Sequence, residues 1–545
     1  MNLLQRYISS LKENKEGISP GFIAAVSFIA LFTACLPLFT FNCIQGHDIS
    51  YHLLRMEALK TGMANGLPFL RINLLFFGGE GYASSLFYPD FLLYIPAFLR
   101  FLGVGINLSW HIFVFICILA AFATTYYCVY YITDSHTPAL ISALIFTLCR
   151  YHLDDIYTRA AVGEFSAMIF LPLVIAGLYD LTEKEFKKPW ILVVGMAGVL
   201  LCHTLSFGFS LILCVLAVIL RIKVFIKDPA RVGKLLITAL LTACLTAFYW
   251  IPMLEMLFDS PLRCSDPIFD LSYEKLLLKD IFASAPGRMG AAVFILLLPA
   301  LIVEHRDDRS VKTADILTIT GVIFALFTTG LFPWERAERY LSFIQFPWRL
   351  FIVSSLLLSI GAGIYISKIN GMGSRALILI TAAFMVFTGI GVINGIDTGY
   401  YSYSDDYFNE VKFTDTVIGG EWLPKAVTER SLLTRDTDTA FDDSGNAIPV
   451  TRKGNALIFN ASGEKYVDVP FVYYKGYAAS SASGAGLKTD GSGKNGRVRV
   501  YDPGTGEVRV FYKGTLLQRI SDIISLVSFA LIILMAVFAF RKERR

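Results

Sequence analysis

A carboxylate and two histidines lie close together in the segment Gly46-His-Asp-Ile-Ser-Tyr-His-Leu-Leu-Arg55. If this segment is helical, Asp48, His52 and Arg55 are spaced i, i+4 and i+7 and share one face. A partly desolvated Asp48 could then act as a general base on an acceptor hydroxyl. The alternative is that Asp48 caps the helix and pairs with His52 or Arg55. A divalent metal could also bind at His47, Asp48 or His52, although the pattern lacks a wider ligand set.

A second charged segment, Asp154-Asp-Ile-Tyr-Thr-Arg-Ala-Ala-Val-Gly-Glu164, opens into an apolar run at Phe165. Arg159 could hold a phosphate, because guanidinium groups form charge-assisted hydrogen bonds with phosphate oxygens, while Glu164 orients the phosphate or the acceptor. The alternative is a salt bridge between Arg159 and Glu164 that only fixes the turn. The spacing alone does not separate the two interpretations.

Further polar groups border apolar runs. His203 lies in a predicted tight turn between two short runs, where a lone histidine is more often a hydrogen-bonded structural residue than a catalyst. Arg339 ends the segment 334–339 and Arg349 ends the segment 345–349, and both segments contain tryptophan. Arginines beside tryptophan at a membrane interface ordinarily anchor headgroups, and the alternative is a dedicated lipid-phosphate site.

The elements that carry these residues must be membrane helices. The chain has 545 residues, of which 55% are hydrophobic and only 17% charged, so it is too apolar to enclose its own surface in water. Within lipid, repeated apolar runs satisfy their backbone only as helices. We therefore predict a mainly α, polytopic membrane bundle. The net charge of +4 and the scattering of Lys and Arg between apolar runs argue against a nucleic-acid partner.

Short clusters of Lys and Arg set the orientation, because such clusters mark the cytoplasmic side. They occur in the N-terminal tail (Arg6, Lys12, Lys15), at 184–188, 221–234, 306–312 and 368–375, and at the C-terminus (541–545). If all are cytoplasmic, both termini face the cytoplasm and the chain is a multi-pass plasma-membrane protein. About twelve spans follow, near 21–43, 107–131, 138–152, 163–181, 190–203, 205–220, 233–253, 289–304, 313–331, 348–367, 375–396 and 517–540.

The apolar stretch Leu86 to Gly103 does not fit this alternation, because it would place the cluster at 184–188 outside. We predict that it is an interfacial or re-entrant helix on the outer side. The first outer loop, residues 44–108, would then be long and tied to the membrane surface by juxtamembrane helices. Together with the remaining spans it completes a first domain, residues 1–396.

Residues 397–515 differ in character from the rest. They are polar and contain short runs of alternating apolar and polar residues, such as those at 465–474, 496–501 and 507–512. Alternation with a period of two between glycine-rich turns is typical of antiparallel strands. We predict a small β-rich extracytoplasmic domain here, followed by a final transmembrane helix and a basic cytoplasmic tail over 516–545.

The chain resembles bacterial multi-pass membrane proteins of the YfhO-like and 6-pyruvoyl-tetrahydropterin synthase-related membrane family, which are similar to GT-C type glycosyltransferases. The resemblance runs almost end to end. The segments that carry it are 46–55, Phe87-Tyr-Pro-Asp90, Tyr157 to Glu164 with Pro172, Gln345-Phe-Pro-Trp-Arg349, and Val469-Pro-Phe-Val-Tyr-Tyr-Lys-Gly-Tyr477. They are fairly specific together and weak singly.

The resemblance implies an enzyme that takes a sugar from a polyprenyl-phosphate carrier and transfers it, with inversion, to a glycan or glycolipid acceptor at the outer face. It places the role of base or acceptor-positioning acid on Asp48. The donor phosphate would lie near Arg159 or near Arg336, Arg339 and Arg349, with its prenyl tail between the membrane helices. Where some GT-C members have an acidic pair, this chain has His47 and Asp48, so the resemblance does not imply metal dependence.

Two other functions fit the same sequence. A transporter or flippase of lipid-linked sugars would also need outer arginines and a lipid cleft, although no half-repeat with broken helices is found in matching positions. A non-catalytic scaffold could assemble envelope enzymes through the β-rich domain. No cytoplasmic loop contains a Walker-type glycine loop, so the energy for transfer would have to come from an activated donor.

Overall fold

The computed structural model describes residues 16–266, 270–304, 308–410, 420–428 and 437–543. The basic residues predicted in the N-terminal tail, together with Arg306, Arg544 and Arg545, lie outside the described residues. The chain is mainly helical, with 61% of its residues in helices, and it has a C-terminal β-rich region. Both coarse features agree with the prediction from composition and periodicity.

The helices of the first half run from the first apolar segment to a bent pair: α1 Pro20–Ala34, α2 Ile49–Ala64, α3 Ser84–Phe87, α4 Tyr94–Phe101, α5 Ile106–Thr133, α6 His136–Leu148, α7 Arg150–Tyr157, α8 Val162–Ala167, α9 Leu171–Glu183, α10 Pro189–Leu200, α11 Thr204–Leu220, α12 Ile222–Lys227, α13 Ala230–Leu245 and α14 Ala247–Asp259. The remaining helices are α15 Leu271–Glu274, α16 Ala292–Ile295, α17 Arg309–Phe327, α18 Trp334–Leu341, α19 Phe351–Ser367, α20 Ser374–Asn394, α21 Tyr407–Glu410 and α22 Leu516–Glu543.

The structure does not show the twelve full membrane spans that the sequence predicts. Among the described residues, six helices are long and apolar enough to cross a membrane, or seven if α13 and α14, bent by 73° at Thr246, count as one. Five further apolar helices have only 10 to 17 residues. The predicted span 21–43 shows one cause, because α1 ends at Ala34 and is followed by a short 3-10 turn containing Pro37. Proline has no N–H to donate and cannot continue an α-helix.

The basic clusters gather at one end of the bundle. Arg221 forms an ion pair of 2.5 Å with Glu183, and Arg231 donates to the carbonyl of Leu181 at 2.6 Å. Lys368 forms an ion pair of 2.5 Å with Asp308. The span from Val162 to Glu183 is 22 residues long, or about 33 Å as a helix. Residues at its beginning therefore lie at the end of the bundle opposite these clusters.

The C-terminal β-rich region is a pair of antiparallel five-stranded sheets. Its strands are β3 Thr439–Asp442, β4 Ala447–Pro449, β5 Thr451–Lys453, β6 Ala456–Ser462, β7 Tyr466–Val472, β8 Tyr477–Ser481, β9 Gly486–Leu487, β10 Thr489–Asp490, β11 Arg497–Tyr501 and β12 Thr505–Tyr512. One sheet has the order β10-β11-β7-β3-β4 and the other β5-β6-β12-β8-β9. Alternate side chains of both, such as Val467 and Val508, share one buried core.

The first outer loop packs into that same core. Phe76, Tyr82 and Phe87 belong to the hydrophobic cluster of the two sheets. Glu80, which is fully buried, forms an ion pair of 3.1 Å with Arg497. The loop and the β-rich region are therefore one packed unit.

The stretch Leu86 to Gly103 contains only the short helices α3 and α4, and neither is long enough to cross a bilayer. The loop is also joined to the chain that follows α20. The strand β1, Cys43–Ile44, pairs antiparallel with β2, Tyr400–Tyr401, and Arg100 donates to Asp405 Oδ1 at 2.8 Å. These contacts fix the start of α2 relative to the bundle.

Candidate active site

The turn before α2 is held against the segment that follows α7. The backbone N–H of His47 donates to Thr158 O and that of Asp48 donates to Arg159 O, each at 2.9 Å. Asp48 is the N-terminal cap residue of α2, but its side chain makes no capping hydrogen bond. Two segments that are more than 100 residues apart in sequence are thus in direct backbone contact.

Gly46 is required for this close approach. A Cβ atom on Gly46 would lie 2.7 Å from Ala160 Cβ and 2.9 Å from Tyr157 O. We expect Gly46→Ala to destabilise the fold by about 1–3 kcal/mol, since overpacking forces the two segments apart. The measurement is the thermal unfolding midpoint of the purified protein. Gly21→Ala is the matched control, because nothing lies within 4 Å of a Cβ there. Equal midpoints for the two variants would contradict the expected contact.

Arg159 lies at the centre of a buried charge network. Its guanidinium donates to Glu164 through two hydrogen bonds of 2.8 Å and also donates to Asp155. The indole of Trp348 stacks on it at 4.5 Å. Burial, and then the Glu164 carboxylate, raise the pKa of Asp155 well above its usual range. The salt bridge that the sequence left as one alternative therefore exists, and the two carboxylates accept from three of the five N–H groups of Arg159.

Arg349 joins the network from the start of the span 347–367. Its Nε lies 3.0 Å from Glu164 Oε1, and its Nη1 donates to Gln345 Oε1 at 2.7 Å and to Ile344 O at 3.1 Å. Among the described residues, no hydrogen bond uses Arg349 Nη2, and the buried Nε also lacks an acceptor in bonding geometry. Arg349 thus keeps its Nη2 N–H groups to offer an anion, whereas three of the five N–H groups of Arg159 already donate to carboxylates.

Asp48 faces this network and is exposed to solvent at the rim. No hydrogen bond or ion pair to its carboxylate is found in the described part of the chain. Protein atoms crowd it on its inner side, and this desolvation raises the pKa of Asp48 above its usual range, while Arg159 and Arg349 act in the opposite direction. An accessible, unpaired carboxylate with a raised pKa has the properties of a general base.

The pairing of Asp48 with His52 or Arg55, which the sequence left as one alternative, is not found in the structure. Both residues are on α2 as predicted, but Arg55 is buried and forms an ion pair with Asp90, with a further hydrogen bond of 2.9 Å to Pro89 O. His52 Nδ1 lies 3.0 Å from Arg55 Nη1. The physical reason is that Asp48 precedes the helix with non-helical dihedral angles, so its side chain does not share the face of residues within the helix.

His203 and Tyr88 lie beside the charge network. His203 Nδ1 is 2.8 Å from Ser206 Oγ, and burial lowers the pKa of His203 to about 4, so the ring is neutral at neutral pH. The Tyr88 hydroxyl accepts a hydrogen bond of 3.0 Å from the Gly163 N–H. The ring centroids of Tyr88 and His203 are 6.2 Å apart. The structure thus brings His203 together with the charge network.

Glu421 is the functional candidate that the sequence analysis missed. It accepts a hydrogen bond of 3.0 Å from Gln345 Nε2, the side chain whose oxygen is bound by Arg349. Burial raises the pKa of Glu421, and the negative charge of Asp48 raises it further. No local pattern could have signalled this residue, because it reaches the site from the segment before the β-rich sheets.

Two predicted site residues do not contribute to the network. Arg339 is exposed on α18, with its guanidinium 5.8 Å from the ring of Tyr340, and no contact described by the structure joins it to Arg349. His47 is exposed beside Asp48. Over the described ranges, no group of three or more His, Cys, Asp or Glu side chains is arranged to hold a metal ion. The physical reason for the position of Arg339 is that its helix turns the arginine outward while Trp334 is buried.

Comparison with known proteins gives limited information. No family model matches the chain. An uncharacterized protein of Lactococcus lactis subsp. cremoris (strain MG1363) is 21% identical over 604 aligned positions, which cover 98% of this chain and 97% of that protein. The similarity extends over the full length, and it assigns no activity.

Among solved structures, similar chains include the mycobacterial arabinofuranosyltransferase AftD, with a TM-score of 0.44 and 12% identity over 70% of this chain and 27% of AftD. An Archaeoglobus fulgidus oligosaccharyltransferase tethered with an acceptor peptide has a TM-score of 0.39 and 13% identity, over 70% of this chain and 55% of that one. The same organism's AglB, in complex with an inhibitory peptide and a dolichol-phosphate, has a TM-score of 0.38 and 11% identity over the same shares. The chain thus spans from about a quarter to about half of the length of these proteins. At TM-scores this low, these similarities establish neither a shared fold nor a shared activity.

Proposed function

We propose that the chain is a membrane glycosyltransferase of the GT-C type, which moves a sugar from a polyprenyl-phosphate donor to an envelope glycan or glycolipid at the outer face. The observation that carries the proposal is Asp48, an accessible and unpaired carboxylate beside two arginines in a largely buried setting. A purely structural aspartate at a helix start would cap the helix or form an ion pair. Asp48 does neither among the described residues.

Arg349 is the residue we assign to the donor phosphate. It retains unused N–H groups, and guanidinium groups bind phosphate oxygens through charge-assisted hydrogen bonds. Arg159, by contrast, donates to two carboxylates and holds Glu164 in place. The assignment places Arg159 in a positioning role and Arg349 in contact with the leaving group.

The reaction is a single inverting displacement at the anomeric carbon. An acceptor hydroxyl oxygen attacks that carbon while the bond from the carbon to the phosphate oxygen breaks. Asp48 takes the hydroxyl proton, and Arg349 stabilises the charge that develops on the departing polyprenyl phosphate. The donor is already activated, so no nucleotide-binding site is needed.

The prenyl chain would extend from Arg349 into the bilayer. Leu331, Tyr340 and Phe343, which precede Arg349 in sequence, are exposed and apolar in character. Burying prenyl groups against such a surface gains about 0.8 kcal/mol for each CH₂ removed from water. Lipid contacts of this kind could supply most of the donor affinity, so the polar site need only orient the phosphate.

The test of enzyme against transporter is donor consumption. The full-length protein in lipid nanodiscs is incubated with polyprenyl-phosphate hexoses and a bacterial envelope glycan fraction. Mass spectrometry is expected to detect free polyprenyl phosphate together with a glycan that is heavier by one hexose. A transporter or a scaffold returns every donor intact, and that result with all donors would contradict the proposal.

The pH dependence of transfer follows from the raised pKa of Asp48. Only the ionised carboxylate accepts a proton, so the rate is expected to fall as the pH decreases through a value above the ordinary aspartate pKa of about 3.9. This fall in rate is the acid limb of the pH–rate profile. Glu421→Gln removes a neighbouring negative charge and should move the acid limb to lower pH. The exposed Glu507→Gln is the matched control, and it should leave the limb unchanged. An acid limb that is identical in all three proteins would argue against Asp48 as the titrating base.

A further inference from the structure

The segment 420–428 brings two adjacent side chains, Glu421 and Trp422, close to the charge network and to Asp48. Its backbone is fixed to the loop after α14: Cys264 N donates to Glu421 O at 2.7 Å, and Lys425 N donates to Pro261 O at 2.9 Å. The pairing is antiparallel, since Leu262 also forms a bridge with Pro424. The segment is therefore anchored independently of any ligand.

Trp422 is held as a rigid aromatic surface. Its backbone N–H donates to Tyr82 Oη at 3.1 Å, and its carbonyl accepts from Tyr474 Oη at 3.0 Å. Its ring stacks on Phe87 at 5.9 Å between centroids, with 17° between the planes. Trp422 is still partly exposed, and no partner of its indole N–H is found in the described part of the chain. The indole packs against the rings of Phe87, Tyr82 and Tyr88. Because the ring is already fixed, its exposed part can contact a ligand at low entropic cost.

Glu421 lies beside this surface and faces the charge network. One carboxylate oxygen accepts from Gln345 Nε2 at 3.0 Å, and the second has no partner among the described residues. The ring of Tyr88, which lies close enough to Asp48 to interact with it electrostatically, has its centroid 6.1 Å from that of Trp422. The aromatic surface, the free carboxylate oxygen and the candidate base are thus neighbours.

A pyranose ring has complementary chemistry. One face of the ring consists mainly of C–H groups, which pack on an aromatic ring, while its hydroxyls donate hydrogen bonds to carboxylates. We infer that Trp422 and Glu421 form a binding subsite for a pyranose unit of the acceptor, an inference that rests on the proposed function. The stacked sugar would present a hydroxyl to Asp48, so Glu421 and Trp422 would act as acceptor-positioning residues.

Binding without a donor tests the subsite separately from the reaction. The full-length protein in detergent is applied to an array of gluco-, galacto-, manno- and rhamno-configured pyranose oligosaccharides, and affinities for the retained probes are measured by isothermal titration calorimetry. Trp422→Ala is expected to weaken binding by about tenfold or more, and Trp422→Phe by less, because it keeps an aromatic face. Glu421→Gln should also weaken binding, since the amide is a poorer acceptor than a carboxylate.

Trp190→Ala is the matched control, because Trp190 is an exposed tryptophan at the start of α10, at the end of the bundle opposite Asp48. It should bind the probes as the wild type does. The thermal unfolding midpoint of each variant separates lost binding from lost folding, and Trp422→Phe keeps the test valid if Trp422→Ala does not fold. Retention of no pyranose probe by the wild type, or equal affinity in wild type and folded Trp422 variants, would overturn the subsite. Loss of transfer in an Asp48 variant has no bearing on this result.

Discussion

Asp48→Asn is expected to lower the rate of sugar transfer by about 10²–10⁴-fold, the usual contribution of a general base. The substitution keeps the size of the side chain but removes the group that accepts the acceptor proton. Folding should be unaffected, because no described hydrogen bond or ion pair depends on the Asp48 carboxylate. The measurement is the rate of polyprenyl-phosphate release in nanodiscs at saturating donor.

The control for this substitution is Asp502→Asn. Asp502 is exposed in a turn of the β-rich region with a φ of 44°, a conformation that asparagine also tolerates. The Asp502→Asn protein should transfer sugar at the wild-type rate. If Asp48→Asn kept the wild-type rate while its thermal unfolding midpoint was unchanged, Asp48 would not be the base.

Arg159→Leu is expected to have the largest effect on stability. It leaves Glu164 and Asp155 buried without the guanidinium that pairs with both, and removing one partner of a buried pair costs about 3–5 kcal/mol. The Trp348 indole would also lose the group on which it stacks. The expected result is a fall in the apparent thermal unfolding midpoint on the order of 5 °C or more, measured in detergent by loss of the monodisperse species.

Arg339→Leu is the matched control, since Arg339 is an exposed arginine with no described ion pair. Its midpoint should stay close to that of the wild type. The double variant Arg159→Leu with Glu164→Leu removes both members of the main pair, and it should recover part of the loss. A single Arg159→Leu variant as stable as the control would show that the network is not a structural element.

The sequence predicts those features that depend on local periodicity. The alternation at 465–474, 496–501 and 507–512 corresponds to β7, β11 and β12, because side chains on a strand face the core at every second position. Apolar runs likewise predict a mainly helical bundle. Breaks within those runs are harder to predict, and α13 and α14 are bent by 73° at Thr246 inside one predicted span. Hydropathy measures the length of a run but not its continuity as a helix.

In the candidate site, too, local sequence patterns predict some features and miss others. Asp48, Arg159 and Glu164 could be proposed from residue type and spacing, and the structure places them together. The partner of Arg55 could not be predicted, because Asp90 lies 35 residues away in sequence and only the packing of the outer loop brings it close. Glu421 could not be proposed, since it reaches the charge network through contacts of the segment 420–428 with distant loops. Local patterns thus identify the charges but not the contacts between them.

The position of the donor phosphate tests the account most directly. A cryo-EM structure of the Asp48→Asn protein in nanodiscs with a bound polyprenyl-phosphate hexose would show the lipid in an unreacted state. The predicted result is phosphate density within hydrogen-bonding distance of the Arg349 guanidinium, with the anomeric carbon facing residue 48. Phosphate density on the exposed face of α18 near Arg336 and Arg339, or a sugar turned away from residue 48, would contradict the proposed reaction.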